Sequence, residues 1–178
     1  LAGDHVKIRV PLEGEGAVEE ILPRRNSLVR PPVANIDQLV IVVSTCEPSP
    51  NYQIIDRMIA EAEAVKIEPV LVLSKVDLQN ADELSEVYGK VGIRLFRVSS
   101  LCREGTEAVK QILPGKVTVF TGNSGVGKSS LLNCLLPGLH QETGEISRKL
   151  GRGRHTTRKV ELLRLQSGGY AVDTPGFS

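Results

Sequence analysis

The eight residues Gly122-Asn123-Ser124-Gly125-Val126-Gly127-Lys128-Ser129 match G-x-x-x-x-G-K-[ST] at every required position. A loop of this kind holds a polyphosphate. Its glycines let backbone N–H groups turn inward around a β-phosphate, and a helix that follows adds the partial positive charge of its N-terminus. Lys128 is placed to reach β- and γ-phosphate oxygens, Ser129 to offer a hydroxyl to Mg²⁺, and Ser130 completes the run. A glycine-rich turn with a chance Lys-Ser pair is the alternative. It fits less well, because strand-like "KVTVFTG" precedes the loop and helix-like "KSSLLNCLLPGL" follows it.

Magnesium also needs a carboxylate near the end of a neighbouring strand. "YAVDTPG" supplies one: Asp173 closes an apolar run, and the backbone N–H of Gly176 can face a γ-phosphate. Asp-x-x-Gly by itself is common in turns. Two strands downstream of a phosphate loop it becomes specific.

"LVLSKVDL" holds a third candidate, Ser74-Lys75-Val76-Asp77. A carboxylate only accepts hydrogen bonds, so Asp77 can take both the N1–H and the exocyclic amino hydrogens of guanine, a donor pair that adenine lacks. Lys75 would lay its alkyl stem along the base. Alone, four such residues fit equally well as a strand cap and turn. The next strand end, "RVSS" with Ser99 and Ser100, is similar in place to the third base-contacting loop of GTPases, in which a backbone amide meets guanine O6. Ser74 stands where asparagine is usual, and a serine lacks the amide with which asparagine braces such a site, so weaker guanine affinity is expected.

The elements that must position these residues alternate along the chain. "QLVIVVS", "PVLVLS", "RLFRVSS" and "KVTVFTG" are apolar runs suited to a sheet covered on both faces. Between them, "YQIIDRMIAEAEAV" carries Ile54, Ile55, Met58, Ile59 and Ala62 at helical spacing. "ADELSEVYGKV" and residues 104–113 read as further helices. "KVELLRLQ" and "GYAVDT" read as closing strands. The pattern predicts an α/β fold, a doubly wound, mostly parallel sheet with helices on both faces. Ahead of it, "HVKIRV" and "GAVEEIL" are short β pieces, and "PRRNSLVRPP" reads as a basic, proline-bounded linker. Residues 1–32 and 33–178 are therefore expected to be separate units.

Composition excludes some classes. Hydrophobic residues are 40% and charged residues 24% of the 178, an ordinary globular balance. A net charge of +1 gives no global demand for nucleic acid, so any such surface has to be local. Cys46, Cys102 and Cys134 form no metal-binding spacing, and no apolar run has membrane length. A soluble, reduced, cytoplasmic protein is expected. The chain opens on Leu1 and stops just after the Asp173 motif, so the natural protein is expected to continue on each side.

The order SKVD, VSS, GNSGVGKSS, GRGRHTTR, DTPGF resembles that of the circularly permuted GTPases. It is most similar to the ribosome small-subunit-dependent GTPase A (RsgA) family, a group of 30S-subunit assembly factors. The resemblance covers essentially the whole chain and is specific in combination. It implies a P-loop NTPase fold with its guanine motif moved ahead of its phosphate loop. It also implies that residues 1–32 end an OB-fold barrel, and that a zinc-binding domain follows Ser178, so Zn²⁺ is expected only there. Implied partners are GTP and GDP with Mg²⁺, and the 30S subunit with its 16S rRNA. No membrane is involved, and the protein is expected to be a monomer. The implied activity is slow GTP hydrolysis stimulated by the small subunit. A nucleotide-gated RNA- or ribosome-binding module with incidental hydrolysis is the alternative, and an ATP-dependent P-loop enzyme is disfavoured by Asp77.

The stretch "RKLGRGRHTTRK" is the expected first switch, with Thr156 or Thr157 reaching Mg²⁺ and γ-phosphate. Arg148, Lys149, Arg152, Arg154, Arg158 and Lys159 stand there without an acid among them. Either the loop is simply solvated or the cluster contacts ribosomal RNA, whose phosphates relieve the repulsion. Many GTPases place a water-orienting Gln after Asp-x-x-Gly. Phe177 occupies that position and cannot hydrogen-bond, so intrinsic hydrolysis is expected to be slow. His155, beside the threonines, is either plain surface or the local candidate for positioning water, a role the resemblance supports, with Lys128 as the other catalytic group.

Overall fold

The computed structural model describes residues 1–10, 15–136, 160 and 162–173. Its centre is a six-stranded sheet. In chain order the strands are β5 (Gln38–Ser44), β6 (Glu68–Ser74), β7 (Arg94–Val98), β8 (Val117–Thr121), β9 (Leu162–Arg164) and β10 (Tyr170–Asp173). Across the sheet the order is β7-β6-β5-β8-β10-β9. All neighbours are parallel except β9 and β10, which form an antiparallel pair at one edge. The mostly parallel α/β sheet expected from the apolar runs is present, and β5 coincides with "QLVIVVS".

Strand alternation divides the core between two faces. Leu39, Ile41, Val43, Leu71 and Leu73 pack on one side, with Ile55 and Ala62 of helix α1 (Tyr52–Ala64) and Leu84 and Tyr88 of α2 (Asp82–Lys90). Val40, Val42, Val70, Val72 and Phe120 pack on the other, with Val109 of α3 (Thr106–Lys110) and Leu131, Leu132 and Leu135 of α4 (Lys128–Leu135). The central strands read as continuous apolar runs because both of their faces are covered. Leu71, Leu73, Leu131 and Leu132 are fully buried, each worth about 1.5–3 kcal/mol of burial. α1 starts where it does because the Asn51 side chain accepts the Ile54 N–H at 3.2 Å.

From β5 the chain moves through β6 to β7, and from β8 it moves the other way, to β10 and β9. The winding therefore reverses between β5 and β8. In open α/β sheets the crevice outside the strands' C-terminal ends at such a reversal is the usual place for a ligand.

The segment before β5 differs from expectation. β1 (Val6–Arg9) and β2 (Ala17–Ile21) form an antiparallel pair, as the β-like pieces suggested. Residues 23–32, however, are not a free linker. Ser27–Leu28 (β3) pairs with Val33–Ala34 (β4), and the Asn26 side chain, buried at 8% exposure, exchanges hydrogen bonds with the backbone of Ile36 at 2.8 and 2.9 Å. The Asn35 side chain takes the Arg25 N–H and donates to Gly3 O, each at 2.9 Å. Side-chain amides standing in for missing ladder bonds hold this stretch, a device that apolar periodicity does not reveal.

Candidate functional site

The C-terminal ends of four parallel strands carry the candidate residues. β6 runs into Lys75–Asp77, β7 into Ser99 and Ser100, β8 into Gly122–Lys128, and β10 ends at Asp173.

At the end of β8 the chain passes so close to β5 that only glycine fits. A Cβ on Gly122 would lie 2.5 Å from the Val42 carbonyl oxygen and 3.0 Å from Val126 Cγ2. Gly127 has φ +90° and forms the N-cap of α4, a left-handed conformation that glycine adopts without a Cβ penalty. Ser124 and Gly125 are exposed, whereas Asn123, Ser129 and Ser130 are half-buried.

Lys128, only 8% exposed, contacts the Asp173 carboxylate across the gap between α4 and β10. That contact joins the start of the helix after the glycine-rich loop to the end of β10. A hydroxyl and a carboxylate are hard oxygen donors of the kind Mg²⁺ takes, alongside phosphate oxygens and water. Ser129 and Asp173 are thus of the donor types that fit that ion. Among the described residues no cluster of three or more His, Cys, Asp or Glu could bind a metal by itself.

Ser74 has a partner that sequence reasoning did not supply. It is 1% exposed, and its Oγ lies 2.5 Å from Val126 O and 3.1 Å from Val43 O. The hydroxyl has one proton, and the nearer Val126 carbonyl, inside the phosphate loop, is its better acceptor. The serine hydroxyl therefore ties the end of β6 to the loop after β8. Next to it, Lys75 takes φ +61°, unusual for a residue with a Cβ and typically costing about 1–2 kcal/mol. Thr45, at the end of β5, holds this turn: its hydroxyl lies 3.1 Å from Ser74 O and 3.0 Å from Lys75 O, and its N–H donates to Ser74 O at 3.0 Å. The Lys75 ammonium donates to the Glu47 carbonyl, in the loop that leads to α1.

Asp77 is exposed at the mouth of a cleft lined also by Val76, Asn80, Asp82, Arg97 and Glu104. Of the two serines after β7, Ser99 is fully buried and its N–H donates to Glu104 O at 3.0 Å. Its amide is committed, which leaves that of Ser100. Cys134 on α4 donates to Ser100 O at 3.4 Å, a second tie between the phosphate-loop helix and the base-side loops. Thr45, Glu47 and Cys134 were not legible as site residues, because each bond joins a side chain to a backbone carbonyl 28 or more positions away. Arg148, Lys149, Arg152, Arg154, His155, Thr156, Thr157, Arg158, Lys159 and Gly176 lie outside the described residues.

The family model described as RsgA GTPase matches residues 21–178. The chain belongs to the RsgA GTPase family. It is 49% identical, over its whole length, to the small ribosomal subunit biogenesis GTPase RsgA of Caldanaerobacter subterraneus, of which it covers 61%. It is 46% identical to the protein of that name from Moorella thermoacetica, covering 62%. The chain thus spans about three fifths of the curated relatives it matches. Among solved structures it superimposes on the crystal structure of YjeQ from Thermotoga maritima with a TM-score of 0.80 and 37% identity, over 99% of this chain and 60% of that one. YloQ, described as a circularly permuted GTPase, gives 0.76 and 32%, over 99% of this chain and 57% of that one. Permutation in the RsgA family accounts for a guanine-type turn that precedes its phosphate loop. The turn still stands beside the loop because β6 and β8 both flank β5.

Proposed function

We propose that this chain is the GTP-binding and GTP-hydrolysing part of an assembly factor for the small ribosomal subunit. Hydrolysis to GDP and phosphate is slow in the free protein and accelerated on the 30S particle. The observation that carries the reading is the joining of base-side and phosphate-side elements: Ser74 bonded to Val126 O, and Lys128 against Asp173.

In this reading Asp77 accepts the guanine N1–H and amino hydrogens, Lys75 packs its stem on the base, and the Ser100 amide meets O6. The amides of residues 122–130 and Lys128 hold the phosphates. Mg²⁺, held by Ser129 and Asp173 with Thr156 or Thr157, would supply charge neutralisation across the β- and γ-phosphates. Gly176 N–H would meet the γ-phosphate. His155 would orient water in the absence of a glutamine, Phe177 being unable to do so.

The basic residues 148–159 would contact 16S rRNA. The β1–β2 pair leaves Val6, Ile8, Val18 and Ile21 exposed, which suits the closing hairpin of a small barrel. We assign it to the end of an OB-fold unit covering residues 1–32, with the GTPase unit from 33 onward. Zinc is assigned to no residue of this chain. Among the described residues no helix is long and apolar enough to cross a membrane, and we place the protein in the cytoplasm as a monomer.

The test is GTP turnover by the full-length protein with and without purified small subunits, at low and high salt. Stimulation that fades with salt is expected. Equal turnover with and without subunits at every salt concentration would refute the reading.

A further inference from the structure

The turn that carries Asp77 is fastened at both ends by one neighbouring strand. At its start, the Val76 N–H donates to Val98 O of β7 at 3.4 Å. At its end, Arg97 of β7 reaches the first turn of α2: Nε donates to Ser85 Oγ at 2.9 Å, and Nη1 pairs with Asp82 Oδ1 at 2.8 Å. The partners are themselves tied in. Ser85 Oγ donates to Ala81 O at 2.7 Å, the Asn80 side chain donates to Asp82 Oδ2 at 2.6 Å, and the Asp82 N–H returns to Asn80 Oδ1 at 2.7 Å. Residues 77–79 lie between these two fastenings, their turn closed by the Leu78 and Gln79 N–H groups donating to Lys75 O at 2.9 and 3.4 Å.

Arg97 also lines the cleft that contains Asp77. Among the described residues no hydrogen bond or ion pair engages the Asp77 carboxylate, while the guanidinium beside it is already held by Asp82 and Ser85. Arg97 and Asp82 are both exposed, with side chains at 47% and 68%, so their pairing adds little to global stability. What the rigid planar fork does provide is direction, because it bonds two partners on one helical turn at once.

We propose that Arg97 is a positioning residue for guanine selectivity, fixing the Asp77 carboxylate through Asp82 and Ser85 without touching the nucleotide. This rests on Asp77 being the base-reading residue. The Asn80 and Arg97 hydrogen bonds hold the Asp82 carboxyl below the usual carboxylate range, so the clamp is charged at neutral pH.

The test compares GDP with IDP, which lacks the 2-amino group, in the full-length protein and its variants. Asp77→Ala should abolish the preference for GDP over IDP; if it does not, the base-reading assignment itself fails. Arg97→Met should lower that preference about threefold to tenfold, the scale of one misplaced hydrogen bond. Asp82→Ala should do the same, and the double variant should add nothing further. Arg97→Lys, which keeps the charge but not the fork, should recover part of the preference. If Asp77→Ala abolishes the preference while Arg97→Met lowers GDP and IDP affinity by the same factor, Arg97 is merely structural and the proposal falls. It falls also if Arg97→Met lowers the preference and Asp82→Ala leaves it unchanged, since Arg97 would then act directly.

Discussion

Replacing Ser74 with alanine tests the tie between the two halves of the site. The side chain is 1% exposed, and its hydroxyl faces Val126 O at 2.5 Å and Val43 O at 3.1 Å. Alanine removes the donor and leaves the Val126 carbonyl short of it in a dry place, a loss of about 1–3 kcal/mol. For a chain of this size each kcal/mol moves the melting temperature by roughly 2–4 °C. Val126 immediately precedes Gly127, the N-cap of α4, so part of the loss falls on the loop. If binding has to restore about 1 kcal/mol of order, GDP affinity drops roughly fivefold. Ser74→Cys, similar in shape but a weak donor, should fall between alanine and the parent. Thermal melting with and without GDP, together with GDP titration, measures both parts. An alanine variant that melts and binds like the parent would show that the bridge carries no energy.

Gly122→Ala should destabilise the fold by about 1–3 kcal/mol and abolish GDP binding, because its Cβ would sit 2.5 Å from Val42 O; melting and titration check both. Burial, and then the bond to Asp56 at 2.9 Å, push the Tyr88 phenol above its ordinary 10.0. The stability it contributes is complete below pH 10 and is lost as pH rises through and beyond that value, where the unfolded chain ionises first. Tyr88→Phe should therefore lose stability less steeply than the parent between roughly pH 10 and 11 in urea unfolding. His155→Ala should abolish subunit-stimulated turnover and leave GTP binding intact, as read by paired turnover and titration.

The strands were legible because burial on both faces forces continuous apolar runs, and "QLVIVVS" left little freedom for β5. The phosphate loop was legible because few structures besides a phosphate cradle need glycines at that spacing ahead of a Lys-Ser pair. The hairpin at residues 27–34 was not, since Asn26 and Asn35 hold it by amide bonds to distant backbone, a pattern indistinguishable from a polar loop. The Ser74 substitution was visible, but the partner of its hydroxyl was not. Its acceptor lies 52 positions away, in the loop that follows a strand not adjacent to its own, and only folding shows that a hydroxyl spans the gap. Thr45, which steadies the Lys75 turn through two carbonyls, gives no signal in sequence at all.

The central claim is that a guanine-reading turn and a phosphate loop, in reversed chain order, make one nucleotide site. Calorimetric titration of the protein with GDP and with ADP tests it most directly. The account predicts that GDP binds, that ADP does not compete at equal concentration, and that Asp77→Ala removes the difference. Equal binding of ADP and GDP by the unmodified chain would contradict it.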